Sequence, residues 1–362
     1  MQGCVTVELG ARTYEIRIGS GLLDCAGAWC AERVRGRSAL VVSDANVAPL
    51  YLDRVLESLR AAGFRVASAV VPAGEGSKSP AELFRLYEAA LEAGLDRRSP
   101  VVALGGGVVG DLAGFLAATW LRGVPFVQLP TTLLAMVDSA VGGKTGIDLP
   151  GGKNLVGAFH QPALVAADLD TLRTLPRRET VAGLAEVVKY GAIRDRALLD
   201  RIERETAGIL AGASPAVAEV VERCCRIKAE IVGADEREAG ARALLNFGHT
   251  LGHALETAAG YGTLLHGEAV SVGMVYAARL SVERTGLPVV EADRLEALLR
   301  ALGLPVRHAG LAWADVRRAM SADKKTRGGV PRFVLLRRLG EAVAGEAVPE
   351  AALEEAWHVV GE

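Results

Sequence analysis

The residues with the clearest potential for chemistry are three histidines, His249, His253 and His266, which fall within eighteen positions of a chain that contains six. His249 and His253 lie four apart in a segment with helical apolar spacing, so both imidazoles project from one face of a predicted helix. His266 follows a glycine-containing turn that can fold the chain back. A lone histidine is more often a packed core residue, but this clustering favours a metal or anion site.

A carboxylate that suits such a site is Glu186, in the segment GLAEVVKYG, with Lys189 three positions later on the same face of a predicted helix. The ordinary interpretation of this spacing is a surface ion pair. The neighbouring residues are apolar, however, and a carboxylate is a natural third ligand beside two imidazoles on zinc, with one position left open for a substrate. From spacing alone, we expect His249 and His253 to be the two imidazole ligands.

A glycine-rich segment suggests a second kind of chemistry, the binding of a dinucleotide. Gly105, Gly107 and Gly110 satisfy the pattern G-x-G-x-x-G directly after a predicted strand and before a predicted helix. Without side chains, the backbone can approach a pyrophosphate at the helix N-terminus. The acidic residue expected about 20 positions later is absent, and Asp44, at the end of an earlier strand, is the candidate for the ribose. A glycine turn that serves only tight packing is the alternative.

Two Gly-Gly-Lys turns contain lysines that are candidates for holding a phosphorylated substrate. The segment VGGKT at 141–145 imitates a phosphate-binding P-loop, but the full pattern needs glycine where Asp138 stands, so a P-loop nucleotidase is rejected. Glycine-rich turns still let the ammonium groups of Lys144 and Lys153 converge on an anion together with backbone amides. Either lysine taken alone would be interpreted as a solvated loop residue.

Composition excludes several classes of function. The 362 residues include 41 basic and 43 acidic side chains, so neither nucleic acid nor an anionic membrane is an expected partner. No apolar run approaches the roughly 20 residues of a membrane span, and the N-terminal segment alternates like a strand rather than a signal peptide. The five cysteines contain no Cys-x-x-Cys pair. We therefore expect a soluble, cytoplasmic protein with reduced cysteines.

Hydrophobic patterning predicts an α/β first half. Residues 5–18 read as two strands, and four more apolar strands follow, alternating with three helices. The predicted strands are 38–43, 64–71, 100–104 and 125–129, and the predicted helices are 49–62, 79–93 and 108–120. Continuous apolar strands between helices indicate a parallel sheet covered on both faces, as in a Rossmann-like nucleotide-binding domain.

The second half is predicted to be mainly α-helical, with a domain boundary near Pro176. Helical spacing covers 180–199, 215–232, the segment around His249, 269–285 and 291–302, and only 332–336 is strand-like. The prediction is thus an α/β nucleotide-binding domain at 1–176 and an α-helical metal-binding domain at 177–362.

Long ordered blocks of sequence carry a resemblance to a known family. They are GGGVVGDLAGFLAATWLRGVPFVQLPTTLLAMVDSAVGGKTGIDLPGGKNLVGAFHQP, AEVVKYG, LLNFGHTLGHALE, GYGTLLHGEAV and DKKTRGGVPRFVLL. With them, nearly the whole chain resembles the 3-dehydroquinate synthase family of the sugar phosphate cyclase superfamily. The resemblance implies NAD and a zinc or cobalt ion as cofactors.

By position, the resemblance implies Glu186, His249 and His266 as the metal ligands, with His253 facing the substrate instead. The positions that match the family's NAD site are Asp44, Glu75, Lys78, Gly106, Gly107, Asp111, Thr131, Thr132, Asp138, Lys144 and Lys153. The positions that match its substrate pocket are Lys144, Asn154, Lys189, Lys228, Arg242, Asn246, His253 and Lys325. Arg122, in WLRGV, resembles an arginine that reaches the substrate phosphate of the neighbouring subunit, which implies a homodimer.

The activity implied by the resemblance is a step of the shikimate pathway, which leads to chorismate and the aromatic amino acids. The family, a group of carbon–oxygen lyases, converts 3-deoxy-D-arabino-heptulosonate 7-phosphate to 3-dehydroquinate and phosphate. Its members do so by transient oxidation with NAD, phosphate elimination, re-reduction and an intramolecular aldol closure. Arg242 suits the substrate carboxylate, because a planar guanidinium binds a carboxylate through two hydrogen bonds.

Three other functions compete with this interpretation. A sister cyclase could act on an amino analogue of the same substrate, and Arg242, Asn246 and His253 do not exclude it. The same residues argue against cyclases whose substrates have no carboxylate. A metal-dependent polyol dehydrogenase would need no cluster of cations for phosphate and would accumulate NADH. A nucleotide-binding regulator without activity would not need the intact set of polar residues.

Overall fold

The chain forms two compact units. The computed structural model of the protein describes residues 3–212, 215–238, 240–260, 262–322 and 331–361. Unit 1 comprises Met1–Leu175 and Val221–Arg237, and unit 2 comprises Pro176–Val220 and Glu238–Glu362. The domain boundary predicted after residue 176 lies one residue from the first division. The predicted second domain differs from unit 2 at Val221–Arg237, because this segment groups with unit 1.

Unit 1 is built on a parallel sheet. The strands of unit 1, inside and outside this sheet, are β1 (Gly3–Val7), β2 (Tyr14–Gly19), β3 (Ser38–Asp44), β4 (Arg65–Val71), β5 (Val101–Gly105), β6 (Phe126–Pro130), β7 (Lys144–Leu149), β8 (Gly152–Phe159) and β9 (Leu164–Asp168). A sheet of seven strands, as far as the described residues show, has the order β1-β2-β9-β6-β5-β3-β4. All neighbours are parallel except β1 and β2. The predicted Rossmann-like fold class is confirmed.

Helices cover both faces of this sheet, which explains its continuous apolar strands. The helices are α1 (Ala26–Arg33), α2 (Ala48–Ala61), α3 (Pro80–Glu92) and α4 (Gly107–Thr119). Val101 and Ala103 of β5 pack in a core with α3 and α4. Val102 and Leu104 of the same strand pack in a second core with α1 and α2. Successive side chains of a strand point to opposite faces, so both faces must be apolar.

The strand order places a topological switch point between β3 and β5. The chain passes from β3 outward to β4 and then returns to the other side of β3 to form β5. At such a point the two connections leave the sheet in opposite directions and open a crevice at the carboxyl ends of the strands. Asp44 at the end of β3 and the glycines after β5 therefore flank the position where α/β sheets bind nucleotides.

The lysine-bearing glycine turns belong to an antiparallel hairpin that sequence patterning missed. β7 pairs with β8, with Lys144 opposite Phe159. Its inward residues Ile147 and Ala158 pack in the same core as α4. The sequence contains many glycines and little apolar alternation here, so the two strands gave no clear period-2 signal.

Unit 2 is mainly helical, as predicted. Its helices are α5 (Arg177–Arg194), α6 (Arg196–Leu210), α8 (His249–Ala258), α9 (His266–Arg284), α10 (Val289–Ala301), α11 (Trp313–Ala322) and α12 (Glu350–Val360), and α7 (Pro215–Ala234) is divided between the units. The strands β10 (Arg332–Arg338) and β11 (Glu341–Ala347) form an antiparallel pair. Among the described residues, none of the helices combines the length and the apolar composition that a membrane span requires.

One prediction for unit 2 was wrong in detail, and another was confirmed but incomplete. Residues 180–199 are not one helix, because Asp195 interrupts it and its carboxylate accepts a hydrogen bond from the backbone N–H of Leu198, 3.1 Å away, as the N-cap of α6. The strand predicted at 332–336 has an antiparallel partner, β11, whose Ala- and Glu-rich sequence has weak strand propensity.

Gly114 on α4 allows the hairpin to approach closely, and its replacement is expected to destabilise unit 1. A Cβ at this position would lie 2.4 Å from Cγ2 of Thr145 and 3.0 Å from the ring of Phe126. We expect Gly114→Ala to lower the free energy of unfolding by about 1 to 3 kcal/mol, as overpacked cores do, measured by urea unfolding. Gly76→Ala, where a Cβ would meet nothing within 4 Å, is the control. Equal losses in both variants would contradict the packing argument.

Candidate metal and nucleotide sites

Three metal-ligating side chains meet in unit 2, each from a different helix. Glu186 lies on α5, and His249 and His266 are the first residues of α8 and α9. Oε1 of Glu186 is 3.5 Å from Nε2 of His249 and 3.6 Å from Nε2 of His266. One ligand atom from each of the three residues lies within 4.8 Å of the others. A single ion can therefore contact all three.

Both imidazoles direct Nε2 at Glu186 because Nδ1 of each ring faces an acceptor. Nδ1 of His249 is 3.0 Å from the carbonyl oxygen of Phe247, which can only accept, so Nδ1 of this ring donates. Nδ1 of His266 is 3.1 Å from Oε2 of Glu256. In a neutral imidazole the second nitrogen then presents a lone pair. A donor relationship of this kind is usual for histidines that bind metals.

The carboxylate of Glu186 gives the site its negative charge. Glu186 is 0% exposed and forms an ion pair with Lys189, which is 1% exposed. Apart from the ion pair with Lys189, the carboxylate oxygens of Glu186 have no hydrogen-bond partner among the described residues. Burying an ionised carboxylate is costly unless cations or hydrogen bonds replace its hydration. Two imidazole nitrogens and one carboxylate oxygen are a donor set that fits a zinc-type ion.

His253 lies beside this cluster rather than in it. Its ring centroid is 5.4 Å from that of His249 and 5.9 Å from that of His266, whereas Glu186 faces the other two histidines. The ligand pair expected from spacing alone, His249 and His253, was therefore wrong in its second member. His253 does belong to another set of three potential ligands, with Glu256 and His266.

A clamp of charged residues fixes the start of α9 and with it His266. Oε2 of Glu268 accepts a hydrogen bond from the backbone N–H of Leu265, 2.9 Å away, which caps the helix. Nε and a terminal nitrogen of Arg178 each donate to a different oxygen of Glu268, both at 2.7 Å. A Cβ on Gly267 would lie 1.9 Å from the carbonyl oxygen of Ala182 on α5, so only glycine permits this approach.

Two other predicted substrate residues of unit 2 lie just before α8 in the chain. Arg242, only 2% exposed, and Asn246 lie on a short 3-10 helix, Ala241–Asn246, just before α8. Nδ2 of Asn246 donates to Oε1 of Glu238 at 2.9 Å. Lys325 lies outside the described residues, so its role stays a prediction.

In unit 1, the glycine segment after β5 has the steric properties of a nucleotide-binding turn. Gly106 precedes α4 and Gly107 is its first residue. A Cβ at Gly106 would lie 3.1 Å from Cγ2 of Thr132, and one at Gly107 would lie 3.0 Å from Oγ of Ser139. At Gly110 a Cβ would lie 2.8 Å from a side-chain oxygen of Gln128, which is the close helix–strand packing that the third glycine permits. A side chain at any of these three positions would therefore crowd its neighbours.

Two of the predicted cofactor residues, Asp44 and Thr131, lie at the ends of β3 and β6, the two strands next to β5 in the sheet. Asp44 ends β3, and its Oδ1 accepts hydrogen bonds from the backbone N–H groups of Asn46 and Val47, at 2.8 and 3.1 Å. Thr131 directly follows β6, and its backbone N–H donates to the carbonyl oxygen of Gly105 at 3.0 Å. The carboxyl ends of β3, β5 and β6 therefore lie side by side at the same end of the sheet.

Lys78 is the centre of a buried charge network among the predicted cofactor residues. Its side chain is 4% exposed, and its ammonium lies 2.9 Å from Asp111 and 3.4 Å from Glu75. It also donates to Oδ1 of Asn154. Burial alone would lower the pKa of Lys78, but the carboxylates, led by Asp111, raise it well above its ordinary value. Lys78 therefore stays charged at any physiological pH.

Asn154 has a left-handed backbone conformation that Asp148 supports. The φ angle of Asn154 is +53°, which few residues other than glycine adopt. Its backbone N–H donates to Oδ1 of Asp148 at 2.7 Å. Lys153, the preceding residue, lies 3.7 Å from Oε1 of Glu75. The predicted substrate residue Asn154 is therefore connected to the cofactor residues around Lys78.

Asp138 and Lys228 form a second ion pair within unit 1. Asp138 lies on a short π-helix, Ala135–Ser139, and Lys228 lies on the part of α7 that belongs to unit 1. Nζ of the buried Lys228 is 2.6 Å from Oδ1 of Asp138. Lys144 follows shortly as the exposed first residue of β7. The glycines before it therefore lead into a strand and not into a helix, which agrees with the rejection of a P-loop.

Arg122 lies on a loop with an unusual backbone. Leu121, Arg122 and Gly123 have φ angles of +49°, +70° and +119°. Such strain in non-glycine residues persists only where the surrounding structure imposes it. His160, which directly follows β8, places a ring nitrogen 2.9 Å from the carbonyl oxygen of Val124. The exposed Arg122 is thereby presented next to the end of the hairpin.

Sequence reasoning missed three residues that support the predicted ones: Asp148, Glu256 and Arg178. Asp148 and Glu256 stand inside the quoted blocks, in GIDLPGGKN and HTLGHALE, but an isolated carboxylate shows no partner in the sequence. Arg178 contacts Glu268, which lies 90 positions away. A pairing over such a distance leaves no local pattern, so only the fold reveals it.

Comparisons with known proteins agree over both units. The family models described as "3-dehydroquinate synthase N-terminal" and "3-dehydroquinate synthase C-terminal" match residues 68–182 and 183–326. The chain is 51% identical over 350 residues to 3-dehydroquinate synthase of Desulforamulus reducens, covering 96% of this chain and 98% of that protein.

Two solved structures are similar over almost the full length. One is 2-epi-5-epi-valiolone synthase of Streptomyces hygroscopicus subsp. jinggangensis with NAD+ and Zn2+ bound, at 31% identity, a TM-score of 0.88 and 97% coverage of both chains. The other is 2-deoxy-scyllo-inosose synthase complexed with carbaglucose-6-phosphate, NAD+ and Co2+, at 25% identity, a TM-score of 0.87 and 98% coverage of both chains.

Replacing one imidazole of the cluster is expected to remove metal binding. We expect His249→Ala to weaken zinc binding by more than the about 10- to 100-fold that changes in supporting residues cost, because a direct ligand is lost. Nucleotide binding, expected in unit 1, should not change. Metal content after desalting, determined by atomic emission spectroscopy, measures the effect. His358→Ala on α12, where the side chain is exposed, is the control, and wild-type metal content in His249→Ala would refute the ligand assignment.

Proposed function

The chain belongs to the 3-dehydroquinate synthase family, and from that premise we propose that it converts 3-deoxy-D-arabino-heptulosonate 7-phosphate to 3-dehydroquinate and phosphate. The observation that carries the proposal is the cluster of the buried Glu186 and His249 with the half-buried His266. A polar cluster of this kind is expensive to bury and has the donor set of a catalytic metal site.

The residues divide the binding of two cofactors between them. Glu186, His249 and His266 would hold the metal, and Asp44, the backbone at Gly106 and Gly107, and the residues around Lys78 would hold NAD. When bound, NAD would supply an acceptor for a hydride that is returned within one turnover, and the metal would supply a Lewis acid that lowers the pKa of the hydroxyl to be oxidised. Relatives in the solved structures carry the same two kinds of cofactor.

The remaining predicted residues would bind and orient the substrate. Arg242 would bind the carboxylate through two hydrogen bonds, with Asn246 and His253 beside it on the same segment. The ammonium groups of Lys144, Lys189, Lys228 and Lys325 and the amide of Asn154 would hold the hydroxyl and phosphate groups by charge-assisted hydrogen bonds. A buried guanidinium at Arg242 favours a substrate with a carboxylate over cyclase substrates that lack one.

We also propose a homodimer in which Arg122 completes the partner's site. Several apolar side chains of unit 1 are exposed near the Arg122 loop and on the hairpin, as expected for a surface that another copy covers. They are Leu121, Leu149, Leu155, Val156 and Phe159. The strained loop would hold Arg122 ready for a phosphate in the neighbouring subunit.

The five free cysteines fit a cytoplasmic location.

The reaction itself is tested by assaying phosphate release together with NADH absorbance. With 3-deoxy-D-arabino-heptulosonate 7-phosphate, NAD and zinc, we expect one phosphate per substrate and no lasting NADH, because the cofactor is reoxidised in each turnover. Accumulation of NADH from simple polyols, without phosphate release, would instead indicate a dehydrogenase. Turnover of the amino analogue alone would indicate the sister cyclase.

The role of Arg122 is tested by mixing two inactive variants. Arg122→Ala and His249→Ala are expected to be strongly impaired when each is assayed alone. If Arg122 acts across the dimer, a hybrid dimer has one complete site, since the metal ligands and Arg122 then come from different chains. Random reassociation makes half of the dimers hybrids, so mixing should restore roughly a quarter of wild-type activity. No recovery, although hybrids form, would place Arg122 in its own subunit's site or outside the chemistry.

A further inference from the structure

Glu256 is a buried carboxylate to which the proposed chemistry gives no role. It lies on α8 and is 6% exposed. Its Oε2 is 3.1 Å from Nδ1 of His266, and Nε2 of the same ring is 3.6 Å from Oε1 of Glu186. The imidazole of His266 is thus held between two carboxylates, one at each nitrogen.

Two roles for Glu256 are compatible with its position. It could bind a metal directly, since Glu256, His253 and His266 form a set of potential ligands. Alternatively, it could accept a hydrogen bond from Nδ1–H of His266 and leave the lone pair of Nε2 directed at Glu186. The second role matches His249, whose Nδ1 faces a carbonyl oxygen. With both rings in the same tautomer, both Nε2 atoms face the one carboxylate.

We propose that Glu256 is a positioning residue that fixes the tautomer and the orientation of His266 as a metal ligand. A carboxylate that is hydrogen-bonded to the outer N–H of a metal-bound imidazole makes the inner nitrogen a stronger ligand for the metal. The inference rests on the metal site of the proposed function. Its readout is metal binding, so it is decided without measuring turnover.

The test is a series of two substitutions at Glu256 on α8, with a control on α9, the helix that carries His266. Glu256→Gln keeps an acceptor oxygen but removes the charge, and Glu256→Leu removes the acceptor at similar volume. Glu283→Gln, an exposed residue of α9, is the control. Zinc affinity is measured by competition with a chromophoric chelator, and the visible spectrum of the cobalt-substituted protein reports ligand geometry.

We expect zinc to bind about 10- to 100-fold more weakly when Glu256 is replaced, with the larger loss in Glu256→Leu. The cobalt spectrum should shift in both variants and remain unchanged in Glu283→Gln. A role in packing alone would lower stability without this order in affinity or a spectral shift. The Gln variant is isosteric, so it should fold even if the Leu variant does not.

Two results would overturn the positioning role. Wild-type zinc affinity and cobalt spectrum in both Glu256 variants would show that His266 does not depend on this carboxylate. A wild-type protein that binds two ions, the second of which is lost in Glu256→Gln, would make Glu256 a ligand. If wild-type protein binds no metal at all, the metal site of the proposed function fails first, and this inference falls with it.

Discussion

The burial of the Glu186 carboxylate is the electrostatic constraint on which the structure of unit 2 depends. A carboxylate at 0% exposure has lost its hydration, and several kcal/mol are at stake unless positive charge replaces it. Lys189 on the same helix supplies one cation, and the two imidazoles aimed at Oε1 create a place for another. The helix that carries both charges is buried on most of its faces, and α8 and α9 begin at the two histidines that face Glu186.

Unit 1 also contains a buried charged group, but with the opposite distribution of charge. There a buried cation, Lys78, is surrounded by carboxylates. The expected pyrophosphate position depends instead on backbone that glycine leaves accessible. The two units should therefore respond differently to mutation. Unit 2 is sensitive to the loss of a charge, whereas the turn after β5 is sensitive to the gain of a side chain.

The sequence predicts those structural features whose signal lies within one short stretch of the chain. The parallel sheet was predictable because each strand is a continuous apolar run between helices, and Asp44 and Gly105 mark strand ends directly. The β7–β8 hairpin was not, because its glycine-rich strands lack alternation. Spacing predicts that His249 and His253 share a face of one helix. It does not reveal which histidine meets a carboxylate from another helix, and the resemblance to a family supplied His266.

The supporting residues explain why the ligands alone would not define the site. Glu268, held by Arg178 and bonded to the backbone N–H of Leu265, determines where α9 begins, and Gly267 lets that end approach α5. Each of these groups helps to fix the position of His266 without belonging to a set of potential metal ligands. Because the free energy of metal binding adds to the stability of the folded state only, an ion at this cluster would also offset part of the cost of burying Glu186. The site would then contribute to the stability of unit 2 as well as to its chemistry.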